Sequence, residues 1–167
     1  MRRFIAGLLL MLSALLSPST SMAADGCTVL LCLAGNWSAI PACVPPVREV
    51  LRDLMRGRPF PTCAMSGGPG NSASLSWASQ ANCPEMYSIY NAESGAWESC
   101  AYAGSFNVRV DGADWSTVWW SYGGDTSTRY TPVAKAQLGS MVDPKYDADQ
   151  AAWDAAHPPA PPCTGDC

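Results

Sequence analysis

Eight cysteines, all placed behind an apolar leader, constrain this chain more than any other feature: Cys27, Cys32, Cys43, Cys63, Cys83, Cys100, Cys163 and Cys167. An even count in an exported chain points to structural disulfides. Spacing alone leaves their pairing open. A helix holding Cys27 and Cys32 would keep them too far apart to bridge each other, so each is expected to bond to another element. Zinc is disfavoured. The close pairs are C-x4-C and C-x3-C, more than a hundred residues apart, and His157 is the sole histidine, whereas zinc sites favour C-x2-C pairs or added histidines. No C-x-x-C redox pair occurs either. No metal or cofactor is expected.

The leader spans residues 1–23. Arg2 and Arg3 form a positive start, Phe4 to Leu16 is apolar, and Ser21-Met22-Ala23 places small residues before an expected cut after Ala23. This is a secretory signal peptide pattern. Its apolar run is shorter than the about 20 residues needed to cross a bilayer. Phe4 follows the arginine pair directly, which departs from a twin-arginine box. Asp25 stands where a lipoprotein box needs a small residue, so Cys27 reads as a disulfide cysteine. Loss of Arg2 and Arg3 would move the net charge from −4 to −6. An acidic exported chain is a poor candidate for direct nucleic-acid binding. No later apolar run is long enough to span a membrane.

The periodicities predict an α+β fold: a small disulfide-stapled domain over residues 24–156. Its helical N-terminal part (24–63) is followed by a flexible Gly- and Ser-rich loop (64–76). A helix plus β-hairpin part (77–156) comes next, with the hairpin extending into a small antiparallel sheet and a short C-terminal helix closing the domain. A proline-rich tail (157–167) carries the last two cysteines. Asp25 can cap a short buried helix ending near Leu33. Pro45, Pro46 and Gly57 bracket a second helix, with Val47, Val50, Leu51, Leu54 and Met55 at the 3.6-residue period. Asn82-Cys83-Pro84-Glu85 reads as another helix start, with Met86, Ile89 and Tyr90 as its apolar face. Phe106, Val108 and Val110 alternate with polar residues, Asp111-Gly112 turns the chain, and Trp115 to Tyr122 returns. Thr126 to Thr131 reads as a third short strand, Val133 to Leu138 as one helical turn, and Asp147 to Ala156 as a weak helix.

Catalytic sets are scarce. A histidine-based hydrolase would need His157 in the proline-rich tail. Glu85, Glu93 and Glu98 lie among aromatics and leave a carboxylate-based cell-wall hydrolase as an alternative. The chain has no phosphate-binding or dinucleotide glycine loop. A non-enzymatic role is expected. Two features point to contacts. Arg48, Arg52 and Arg56 recur every four residues along the second helix, either as a solvated face or as a docking face for an acidic partner. Trp119 and Trp120 fall on opposite faces of one strand, so one of them is expected to face away from the core, as packing or as a surface for a protein or glycan. A secreted binding module or inhibitor is the corresponding alternative function.

The spacing Cys27-x4-Cys32 around Val29-Leu30-Leu31, then Ile40-Pro41-x-Cys43, then Phe60-x-x-Cys63, resembles the TrbM/KikA/MpfK family of conjugal transfer proteins. The stretch Asp111 to Ser121 and the run Asp143-Pro144-Lys145-Tyr146-Asp147 with Trp153 are similar to some members. The long glycine-serine loop and the terminal Cys163 and Cys167 have no counterpart in that pattern. The resemblance implies an exported accessory component of a conjugative type IV secretion system, serving mating-pair formation. Its place would be the periplasm, or outside the cell if released, and its partners the periplasmic components of that apparatus. It implies structural cysteines and no catalytic residues.

Overall fold

The computed structural model describes residues 25–63 and 70–159. The fold is α+β, with helices first, then strands, then helices again. The expected signal peptide, residues 64–69 of the expected loop and the terminal cysteines Cys163 and Cys167 lie outside the described residues.

Helix α1 (Gly26–Leu33) starts where Asp25 caps it, accepting from the backbone N–H of Thr28 at 3.0 Å and of Cys27 at 3.4 Å. Val29, Leu30, Cys32 and Leu33 are buried, but Leu31 is 74% exposed. The helix is therefore covered on one side, and the expectation of near-complete burial is corrected. Helix α2 (Val44–Met55) starts on Pro45 and Pro46, which suit the first turn because its N–H groups have no helical partner. Gly57 follows its end at φ 74°, a left-handed stop that glycine adopts without strain. Val47, Val50, Leu51 and Leu54 form its buried stripe, as the periodicity predicts.

Two disulfides tie these helices together. Cys32 joins Cys43 at the start of α2, and Cys27 joins Cys63 beyond its end. Both bonds leave α1 for other segments, as helix geometry requires. A third joins Cys83 to Cys100. Loop-closure entropy puts each bridge at about 3–4 kcal/mol. Gly26 lies so close to the Cys63 segment that an added Cβ would sit 2.4 Å from the Thr62 carbonyl oxygen.

The main sheet has four antiparallel strands in the order β1-β4-β5-β6: β1 (Ser72–Trp77), β4 (Gly104–Val110), β5 (Ala113–Trp120) and β6 (Thr126–Tyr130). The β4–β5 turn is Asp111-Gly112 with φ of 51° and 78°, as in a tight two-residue hairpin. Strands β2 (Ser88–Tyr90) and β3 (Trp97–Cys100) form a separate hairpin. Helices α3 (Pro132–Leu138) and α4 (Lys145–Ala156) follow β6.

Two sequence expectations are corrected here. The segment after Asn82 is one 3-10 turn, Glu85–Tyr87, leading into β2. Pro84 and the Met86, Ile89, Tyr90 spacing mimic a helix, but Ile89 and Tyr90 stand exposed on a hairpin. The expected loop over 64–76 becomes strand β1 from Ser72 onward. Ladder bonds to β4 outweigh the weak strand propensity of its serines.

The strand period splits the interior in two. Phe106, Val108, Val118 and Trp120 face α1 and α2 and form the larger core. Trp119 faces the other way and packs with Tyr102 and Tyr146 under α4. Polar anchors reinforce the helical side: Trp37 Nε1 donates to Thr126 Oγ1 at 3.1 Å and Trp115 Nε1 to the Ala34 carbonyl at 2.6 Å.

Two outcomes follow from this packing. At Gly104 a Cβ would lie 2.6 Å from the Ser76 carbonyl oxygen and 3.1 Å from Trp120 Nε1. Gly104→Ala should therefore destabilise by about 1–3 kcal/mol, as overpacking does, measured by urea unfolding. Asp149 on α4 accepts from Tyr87 Oη at 2.6 Å and from Lys145. Burial pushes its carboxyl up, but the hydrogen bonds from Lys145 and Tyr87 outweigh that and hold it below the usual carboxylate range. A lowered pKa stabilises the fold above the unfolded value of about 3.9, and that contribution fades as pH falls through the folded value. Near-ultraviolet dichroism of the Trp119 cluster should stay constant from neutral pH to mild acid and then decline. Asp149→Asn should show a weaker acid dependence.

Candidate contact surface

Four arginines, Arg48, Arg52, Arg56 and Arg58, lie on or just after α2. All four are exposed. Their electrostatic states differ. Asp53 pairs with Arg58 at 3.0 Å and with Arg56 at 3.7 Å. Among the described residues Arg48 and Arg52 have no ion pair. Their i, i+4 spacing puts them side by side on the helix surface. Glu49, three residues before Arg52, makes no ion pair with it among the described residues. The row of three thus resolves into a free pair and a partly neutralised end.

The free pair forms a ridge between two shallow depressions. One, of about 290 Å³, lies toward the Gly123-Gly124 turn, with Leu51, Met55 and Asp125 in its lining. The other, of about 390 Å³, is bordered by Val44, Pro45 and Glu49, with Arg56 and Arg58 at its end. Met55, expected in the core, is 40% exposed on the first wall. The ridge rests on a rigid base, because the buried stripe of α2 and the Cys32–Cys43 bond fix the helix from below. A carboxylate-bearing segment would meet two guanidinium groups at one site, with apolar surface beside them.

Charge is segregated along the chain. Residues 25–63 carry four arginines against three carboxylates, whereas residues 70–159 carry four basic groups against ten acidic ones. The positive ridge therefore stands out on an acidic molecule.

The other expected site residues fall elsewhere. Cys27, Cys32, Cys43, Cys63, Cys83 and Cys100 are all in disulfides. Trp119 and Trp120 point to opposite faces as expected, but both are buried, at 4% and 0% exposure. Helix α4 covers the face that was expected to be open: Tyr146 stacks on Trp119 at 5.2 Å. As contact residues the two tryptophans are corrected to core residues. Glu85, Glu93 and Glu98 are exposed. Glu85 accepts from Tyr90 Oη and Glu98 from Asn91 Nδ2, each within the β2–β3 hairpin and its approach. No three potential metal ligands cluster among the described residues. His157 stacks on Trp153 at 4.4 Å.

Sequence reasoning passed over one polar groove. Asn107, Thr117 and Arg129 line two adjoining depressions of about 420 and 370 Å³ on the sheet face beside α4. The Arg129 guanidinium lies 5.5 Å from the Trp119 ring centre. Its signal in the sequence was one arginine in a five-residue strand, too slight to separate from ordinary surface patterning. No described helix is long and apolar enough to cross a membrane. No family model, curated protein or solved structure matches this chain.

Reversing the free pair should weaken attraction to acid. Arg48→Glu with Arg52→Glu should weaken binding to an immobilised polyglutamate peptide by up to about thirtyfold at low salt, since exposed charges contribute about 0.2–1 kcal/mol each. Arg56→Glu should have less effect. Unfolding stability should stay within about 0.5 kcal/mol in each variant.

Proposed function

We propose that this chain is an exported, non-enzymatic accessory component of a conjugative type IV secretion system. It acts in the periplasm during mating-pair formation, by contact with other proteins of the apparatus. The observation that carries this reading is the unpaired Arg48–Arg52 ridge on a disulfide-locked helix. Such a surface suits steering and docking of an acidic protein segment rather than bond-making chemistry. The cysteine spacing shared with the conjugal transfer family supports the same reading. Three disulfides among the described residues support an oxidising compartment. An acidic chain that sets only two neighbouring unpaired arginines on one helix is better suited to a protein partner than to nucleic acid.

The test is genetic. Deleting the gene from a conjugative element should lower DNA transfer between cells, and restoring the wild-type chain should recover it. Complementation with Arg48→Glu/Arg52→Glu should leave transfer impaired while the protein accumulates normally in the periplasm. Transfer that is unchanged by the deletion would count against the reading.

A further inference from the structure

We propose that two copies of this chain join through their β1 strands, giving a continuous eight-stranded antiparallel sheet about a two-fold axis. β1 is an edge strand. Its inner side pairs with β4 over all six residues without a register shift. Among the described residues nothing pairs with its outer side.

The ladder decides which backbone groups point outward. Ala78 N–H donates to the Ala103 carbonyl at 2.9 Å and Gly112 N–H to the Gly70 carbonyl at 2.6 Å. Residues alternate along an antiparallel strand, so Ser72, Ser74 and Ser76 also direct their backbone groups to β4. Ala73, Leu75 and Trp77 present theirs outward, where an edge strand is free to pair again.

The edge has none of the devices that discourage pairing. β1 holds no charge, no proline and no bulge. From Pro59 to Pro84 the sequence has no ionisable side chain apart from the cysteines. The chain as a whole is acidic, and two acidic copies would repel. This neutral strip is where they can meet without like charges facing each other.

The strand is also complementary to itself. In an antiparallel pair centred on Leu75, Leu75 faces the partner's Leu75 and Ala73 faces the partner's Trp77. All three outward residues then meet outward residues, which is the parity that hydrogen bonding requires. The large indole stands opposite a methyl group. On the other face Ser74 stands opposite the partner's Ser76, hydroxyl beside hydroxyl. Trp77 is 51% exposed and Tyr122 is 64% exposed, and both pack edge-on against the buried Trp120 ring. They supply apolar surface at the end of the strand. An isologous contact of this kind closes at two copies, so it gives a dimer and not a fibre.

The test uses the oxidised, signal-processed chain in sedimentation equilibrium over the micromolar range. The expected mass is twice that of one chain. Ser74→Lys with Ser76→Lys places lysine opposite lysine and should give monomer, as should Ser74→Asp with Ser76→Asp. Mixing the two variants should restore a one-to-one dimer. A readout without substitution is amide exchange. At high concentration the Leu75 and Trp77 amides should be protected, and on dilution they should exchange quickly while Ser74 and Ser76 stay slow. The proposal is overturned by a wild-type monomer throughout, by a dimer that both variants retain, by a mixture that stays monomeric, or by outward amides indifferent to concentration.

Discussion

Two adjacent tryptophans hold this structure together. Strand geometry sends successive side chains to opposite faces, so Trp119 and Trp120 anchor two cores from one point of β5. Trp120 is fully buried against Phe106 on the helical side, although its indole N–H has no hydrogen-bond partner among the described residues. Trp119 lies beneath Tyr146 on the α4 side and donates from Nε1 to the Asn82 carbonyl at 3.0 Å. Replacing a buried indole by a methyl group costs about 3–5 kcal/mol, as much as one of the disulfides contributes. Two of the disulfides fasten α1 and α2 to each other beneath the sheet. The tryptophans decide which segments meet.

How much of this could be read from sequence depends on how local the cause is. α2 was legible because proline, glycine and a 3.6-residue apolar stripe all act within one turn or two. The β4–β5 hairpin was legible because Asp111-Gly112 and the alternation around it agree. β1 was not: Ser-Ala-Ser-Leu-Ser-Trp is a weak strand by propensity, and β4 sets its conformation from some thirty residues away. The β2 segment misled for the opposite reason. Its proline and apolar spacing satisfy a helix locally, yet Tyr87 is drawn to Ser127 and Asp149, with its hydroxyl 2.7 Å and 2.6 Å from their side-chain oxygens. The tryptophan pair shows the same limit. Alternation placed the rings on opposite faces correctly, but the helix that covers the second face lies beyond what alternation can reveal.

The arginine row illustrates how structure sharpens a charge pattern. Three arginines at every fourth position look equivalent in sequence. Arg58, past the end of the helix, changes that, because it folds back onto Asp53 at 3.0 Å and shares that carboxylate with Arg56. The cationic character concentrates on Arg48 and Arg52, whose guanidinium groups keep their full donor capacity for a partner. Solvent screens charges at this distance from the core, so the ridge would contribute more to steering and orientation than to affinity.

The two proposed surfaces reinforce each other through symmetry. The β1 pairing has its two-fold axis perpendicular to the sheet, so both copies would turn the same sheet face to the same side. That face carries α1 and α2. A dimer would thus present two arginine ridges in one direction, on a base made rigid by a continuous sheet and four disulfides from the two helical halves. Each ridge alone is a weak, salt-sensitive contact. Two held at fixed spacing convert the second contact into an intramolecular one, which raises avidity without any new interaction, provided the partner repeats its acidic segment at a matching distance. Repetition of that kind is a property of assembled machines with many copies of each part. A neutral edge on an acidic chain and a paired cationic ridge on a stapled helix would then serve one purpose: selecting an assembled array over a single subunit.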